Sequence, residues 1–225
     1  YALITGKMEE PFLGVVLEYP QDEEKPASRK VALADADYST PKTDLRLGVL
    51  GAGNYAKAVF LPIIRKSKQV KLDTIISASG MSAASAGRQF GFKYASSTEA
   101  DVLDNSDIDV VAILNRHQLH ADQTSHCLAQ GKHVYCEKPL AITDSGLVKV
   151  VDAMKTNPQA KVMVGFNRRF APMAMKMKDF FNERDPMHVH YRVNAGALPD
   201  QHWLHDPTQG GGRIIGEGCH FIDFV

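Results

Sequence analysis

Apolar residues recur along this chain in two rhythms. Runs of six or seven residues rich in Val, Ile and Leu alternate with longer stretches in which apolar positions return every three or four residues. That alternation predicts βαβ units around a parallel sheet. LRLGVL (45–50), KLDTIIS (71–77), DVVAILN (109–115), KHVYCE (132–137) and KVMVGF (161–166) read as strands. Their nearly continuous apolar character is that of strands buried on both faces. Between them, NYAKAVFLPIIRKS (54–67), SAASAGRQFG, LHADQTSHCLAQGK and SGLVKVVDAMKT read as helices, the third ending at Gly131 in a left-handed cap. The pattern predicts an α/β fold, with a doubly wound parallel sheet over 45–166. A helix near 171–182, a strand HVHYRVNAG (188–196) and a Gly-rich turn into an apolar helix (210–225) predict the start of a second α/β (α+β) domain over 167–225. Residues 21–44, rich in Pro, Asp, Glu, Lys and Ser, read as a solvated linker. LGVVLEY, ahead of it, reads as a terminal strand left from an upstream domain. The chain opens on Tyr1 and stops in an apolar stretch, so both ends read as cut. No internal repeat is found.

Composition narrows the classes. Lys plus Arg (26) balance Asp plus Glu (26), so no field over the whole sequence favours nucleic acid or an anionic membrane. No apolar run reaches the ~18 residues that span a bilayer, and no signal peptide opens the chain, which predicts a cytoplasmic protein without a membrane partner. Cys127, Cys136 and Cys219 are odd in number and lack CxxC spacing, so they read as reduced thiols rather than disulfides or a zinc knuckle.

Candidate chemistry begins after the first strand. Gly51-Ala52-Gly53-Asn54-Tyr55-Ala56 is a G-x-G-x-x-A between a strand and a helix. In that setting Gly51 allows the tight turn, Gly53 lets a pyrophosphate approach the backbone, and Ala56 lets helix pack on sheet. The helix N-terminus then offers N–H donors to the phosphates. A Gly-rich turn with no ligand is the plainer alternative. The acid that usually follows about 20 residues on is missing, since the second strand ends Ser77-Ala78-Ser79-Gly80. Small hydroxyl residues leave room for a 2′-phosphate and Arg88 could supply charge, so the reading is NADP or NAD with a lean to NADP. Arg88 reads equally as a solvated helix residue.

A second constellation sits at strand ends on the same edge. Asn115-Arg116-His117 and His120 follow one strand, and Glu137-Lys138-Pro139 caps the next. A lysine there can donate to a substrate oxygen and favour its deprotonated form, with Pro139 fixing the turn that aims it. Glu137 and Lys138 could equally be a surface ion pair.

GKHVYCEKPLA, the NRHQLHA segment, the strand-turn glycines, VGFNRRFAP (164–172) and GGGRIIGEGCHFID (210–223) together resemble the Gfo/Idh/MocA family of NAD(P)-dependent oxidoreductases. The resemblance runs from about Leu45 to the end. It implies a Rossmann cofactor domain and hydride transfer between nicotinamide and a hydroxyl or carbonyl of a sugar, nucleotide sugar or cyclic polyol. It also implies a small-molecule substrate and a homo-oligomer formed through the second-domain sheet. It implies Lys138 and His220 as catalytic residues and Arg168 facing substrate or nicotinamide. The family commonly has an Asp four residues before the His; here that position is Gly216, and Glu217 is the candidate replacement. Residues 1–20 resemble the C-terminal end of a medium-chain, alcohol-dehydrogenase-like domain, as in two-domain fusions. The missing Asp keeps open a non-catalytic dinucleotide-binding regulator or sensor.

Metal is not expected. His202, His205, Cys219 and His220, or His188 and His190, do not make a converging ligand set on spacing alone. Met173, Met175 and Met177 read as gap fillers, and Cys136 as a small core residue.

Overall fold

The computed structural model describes residues 29–33, 44–181 and 188–225. The upstream remnant at 1–20 and most of the linker lie outside the described residues.

Seven strands form one sheet: β1 (Lys30–Ala32), β2 (Leu45–Leu50), β3 (Val70–Ile76), β4 (Tyr94–Ser96), β5 (Val110–Ile113), β6 (His133–Cys136) and β7 (Val162–Val164), in the order β1-β4-β3-β2-β5-β6-β7. All pairings are parallel except β1 with β4. The six parallel strands therefore carry the doubly wound order whose direction of growth reverses between β2 and β5.

Alternate residues of each strand face opposite sides, so each side has its own core. On one side Val49 and Ile75 pack with Leu61 and Phe90 of the helices after β2 and β3. On the other, Leu50, Val111 and Ile113 pack with Leu128 and Val150. Each such side chain, fully buried, contributes roughly 1.5–3 kcal/mol. The helices are α1 (Leu61–Ile64), α2 (Gly80–Phe90), α3 (Ala100–Leu103), α4 (His117–Ala129), α5 (Asp144–Thr156), α6 (Pro172–Phe181) and α7 (Cys219–Phe224). Sequence explains their limits. Thr143 caps α5 by accepting the Gly146 N–H at 3.1 Å. The left-handed Gly91 ends α2. Wider π turns precede α1 (Ala56–Phe60) and α7 (Ile214–Gly218).

Two expectations are corrected. Within the stretch read as linker, Lys30–Ala32 pairs with β4 and covers the sheet edge; Val31 and Ala32 stay exposed, which is why composition gave a solvated reading. The strand expected at 188–196 is absent. Val189, Tyr191 and Val193 are all at least 40% exposed, and no described segment pairs with it, so its alternation lacks the ladder that makes a strand. β4 and α3, missed entirely, are three and four residues long, too short for either rhythm to register.

Candidate functional site

The carboxyl ends of β2, β3, β5 and β6 open on one edge, and the loops there meet at the switch point. Gly51 has φ +114°, and a Cβ on it would stand 2.8 Å from the Asn115 backbone N, so the glycine loop lies directly against the end of β5. Its N–H donates to the Ile76 carbonyl at 2.8 Å. Gly53 and Asn54 are exposed, and nothing stands within 4 Å of where a Gly53 Cβ would be. Lys57 N–H bonds to Gly53 O at 3.1 Å, which starts the helical run over 54–64 while Ala56 is fully buried against the sheet. The first N–H groups after Gly53 therefore have no partner within the helix and face outward.

That loop borders a crevice of about 910 Å³. Gly51, Gly53, Asn54, Tyr55, Ser77, Ser79, Asn115, Arg116, His117, His120, Glu137 and Lys138 all line it. Ala56 and Pro139 lie behind it, buried. Ser82, Ser97, Glu99, Gln123 and Trp203 also line it, and no motif in the sequence marks them. Arg88 does not. It stands in the last turn of α2, about 12 Å along the axis from the Ser79 end at 1.5 Å per residue, and so supplies no charge there. At that end Ser77 Oγ donates to the Ser79 carbonyl at 2.5 Å, and the Ser79 hydroxyl makes no capping bond.

A polar chain backs the floor. Asn115 Nδ2 donates to Gln123 Oε1 at 2.7 Å, and Gln123 Nε2 donates to Glu99 Oε2 at 3.1 Å. Asn115 Oδ1 is buried with no partner, an acceptor waiting for a donor. Together with the open backbone at Gly53, this acceptor makes the crevice fit a dinucleotide.

The two histidines of α4 play different parts. His120 is fully buried, with Nδ1 2.7 Å from the Pro139 carbonyl and Nε2 3.2 Å from that of Asn115. Burial lowers its proton affinity, so the neutral ring gives its one N–H to the shorter contact and braces the Glu-Lys-Pro turn. His120 thus lines the crevice and braces the turn behind it at once. His117 Nδ1 donates to Gly210 O at 2.9 Å, and its ring meets Trp203 edge-on at 4.8 Å. Burial, with the neighbouring Lys138 and Arg116 charges, pushes it down to about 4. The Arg116 guanidinium lies over the Trp203 ring at 4.5 Å.

Lys138, across a cis peptide from Pro139, sends its Nζ to the Gly216 carbonyl at 2.7 Å. The position lacking the family's Asp therefore holds the lysine by its backbone. His220 follows one turn later. Its affinity for a proton is pushed down to about 4 by burial and by the Lys138 and Arg168 charges, and its Nδ1 is buried without a partner. Lys138 and His220 thus share one electrostatic neighbourhood, although His220 does not line the crevice itself. Arg168 is exposed, its guanidinium over the Phe221 ring at 4.7 Å. Glu217 is taken by Arg213 in the same helix, at 2.8 Å to both Nε and a terminal nitrogen, so its carboxylate answers a guanidinium rather than Lys138 or His220.

A separate cleft of about 580 Å³, between α6 and α7, is lined by Phe170, Met175, Phe181 and Phe224 among others and holds none of these residues but the neighbours of Arg168. Among the described residues, no group of three or more His, Cys, Asp or Glu is placed to hold a metal ion, and no helix is long and apolar enough to cross a membrane.

Known proteins resemble this arrangement. The sequence profile of an oxidoreductase family with an NAD-binding Rossmann fold, Gfo/Idh/MocA, matches residues 45–166. An inositol 2-dehydrogenase of Salmonella typhimurium is 33% identical over 104 residues, covering 44% of this chain and 31% of that protein. The human glucose-fructose oxidoreductase domain-containing protein 2 is 27% identical over 184 residues, 80% of this chain and 47% of its own length. A levoglucosan dehydrogenase in complex with NADH and levoglucosan superposes with a TM-score of 0.66 at 28% identity, covering 80% of this chain and 53% of that one. The chain spans less than half the length of these curated relatives.

Proposed function

Because the chain belongs to the Gfo/Idh/MocA oxidoreductase family, with an NAD-binding Rossmann domain over residues 45–166, we propose that the crevice binds NAD(P) and serves a dehydrogenase acting on a hydroxyl of a sugar or cyclic polyol. The observation that carries the proposal is the Lys138 Nζ to Gly216 O bond, which draws the end of β6 and the turn before His220 to one place.

Bound nicotinamide supplies the hydride acceptor or donor. The rest is the chain's own work. The loop amides after Gly53 hold phosphate, and Asn115 Oδ1 accepts from a ligand donor. Hydride transfer moves no proton, so a separate group must handle the hydroxyl proton. Lys138, a cation held by a neutral carbonyl, stabilises the developing alkoxide. His220 enters as the neutral imidazole, kept so by burial first and then by the Lys138 and Arg168 charges, and in alcohol oxidation it takes the proton. Carbonyl reduction retraces the same path, with the His220 imidazolium returning the proton while Lys138 stays on the oxygen as a cation. Arg168 and Glu217 stand beside this centre as substrate contacts, Glu217 through its pair with Arg213.

The adenosine end is proposed to favour NADP. Ser77, Ser79 and Ser82 give hydroxyls at the start of α2, and β3 ends without the acid that would hold a ribose 2′-hydroxyl. The wider reading is of a second domain beginning near residue 167, a homo-oligomer formed through its sheet, and residues 1–20 as the end of an upstream medium-chain dehydrogenase-like domain.

Fluorescence titration with NADPH and NADH, then turnover on a panel of cyclic polyols and sugars, tests the proposal. Binding with NADPH favoured, followed by turnover that Lys138→Ala lowers by about 10²–10⁴-fold, is the expected result. Binding without turnover would make the crevice a sensor's, and no binding would overturn the cofactor assignment.

A further inference from the structure

Among the described residues that line the crevice on its β6 side the Glu137 carboxylate is the one acidic group, and it is not paired with the lysine next to it. Lys138 turns its ammonium to the Gly216 carbonyl instead. Glu137 is held by neutral donors. Tyr135 lies two residues before it on the same strand face, and its hydroxyl donates to Glu137 Oε1 at 2.9 Å. The Tyr55 hydroxyl, reaching over from the glycine loop, lies beside the same carboxylate and the Tyr135 hydroxyl. The Lys138 backbone N–H donates to Oε2 at 3.3 Å.

Two further features fix this group. Phe60 packs on the Tyr135 ring at 5.1 Å. At Gly165 an added Cβ would stand 2.6 Å from Glu137 Oε1 and 2.8 Å from the Tyr135 hydroxyl, so a side chain there would push the two groups from these positions. Burial and the adjacent carboxylate raise both tyrosines, Tyr55 to about 12 and Tyr135 further, so each keeps its proton and donates throughout the physiological range.

A dinucleotide laid across the switch point has its pyrophosphate at the glycine loop and its adenosine on the β3 side, where Ser77 and Ser79 lie. Its other nucleoside therefore lies on the β5–β6 side, with Glu137. The oxidised nicotinamide ring carries a positive charge and the dihydro ring none, while the rest of the molecule is unchanged. A fixed anion on that side distinguishes the two forms by charge alone, and a binding site shifts a redox equilibrium only through such a difference.

We propose that Glu137 sets the redox preference of this crevice, favouring the oxidised cofactor, and that Tyr55 and Tyr135 are its positioning residues. This rests on the dinucleotide reading above. Dissociation constants of the oxidised and reduced cofactor are measured at fixed salt for the parent chain and for Glu137→Gln, Glu137→Asp, Tyr135→Phe and Tyr55→Phe, each checked for a cooperative melt. Glu137→Gln is expected to raise the oxidised-to-reduced ratio of dissociation constants about tenfold. Each Tyr→Phe should move the ratio about two- to threefold in the same direction, since the carboxylate keeps its charge but loses one tether. Glu137→Asp should hold the ratio near that of the parent even where both affinities weaken. A structural role alone would weaken both forms together, so an unchanged ratio in Glu137→Gln overturns the proposal, as does a ratio insensitive to both tyrosines. Absence of binding by the parent chain would instead overturn the dinucleotide reading and this proposal with it.

Discussion

A Cβ at residue 216 would stand 2.4 Å from Leu204 Cδ1 and 3.3 Å from His117 Cε1. Leu204 is itself buried, so the space a carboxylate would need is already filled by the segment that carries Trp203. Restoring the acid is then costly. Gly216→Asp is expected to lower stability by about 1–3 kcal/mol in urea unfolding. Combined with Leu204→Ala it should lose less than the sum of the two single losses, because the second change removes the clash. Additive losses would mean that the two positions do not contend. His117 gives a second prediction at this scale. Its proton affinity in the folded chain, down at about 4, lies below the ordinary 6.5, so the unfolded chain takes up the proton first. The stability that neutral His117 contributes is complete above about pH 6.5 and is lost as pH falls toward 4, roughly 2 kcal/mol of it by pH 5. His117→Gln should show a smaller drop in urea midpoint between pH 7 and pH 5 than the parent.

Among the elements, the glycine turn after β2 bears the tightest constraint. Gly51 combines a φ of +114° with a missing Cβ against the Asn115 backbone, so strain and overlap act together. Gly51→Ala is expected to cost about 2 kcal/mol or more and to weaken cofactor binding in parallel, both read by thermal melts with and without NADPH. This turn was legible in the sequence because a strand, a G-x-G-x-x-A and a helix follow one another, and each long element around it announced its period. Three-residue β1 and β4 announce none. The segment 188–196 has the alternation of a strand, yet alternation gives a face and not a partner. Sites were legible in the same uneven way. Glu137, Lys138 and Asn115 carry recognisable chemistry at strand ends. The acceptor that holds Lys138 is a backbone carbonyl, which no residue type encodes, and the Tyr135 hydroxyl looks in sequence like one more apolar position of β6.

For the whole molecule, the order of the strands decides where everything else can happen. The reversal between β2 and β5 opens the sheet edge, and loops from both halves of the fold, together with the 200–212 segment, converge there. Trp203 is the only tryptophan in the 225 residues, and it lines that crevice between Arg116 and His117. The protein therefore carries its own lamp at the mouth of the crevice. Its indole emission needs no label to report occupancy, because a ligand that disturbs the Arg116 stack changes the quenching of that one chromophore. Dihydronicotinamide absorbs where indole emits and the oxidised ring does not. Exciting Trp203 should thus yield cofactor emission with NADPH and only an intensity change with NADP, in a signal that saturates at the same concentration as direct titration. A Trp203 spectrum indifferent to both would place the cofactor away from this end of the sheet.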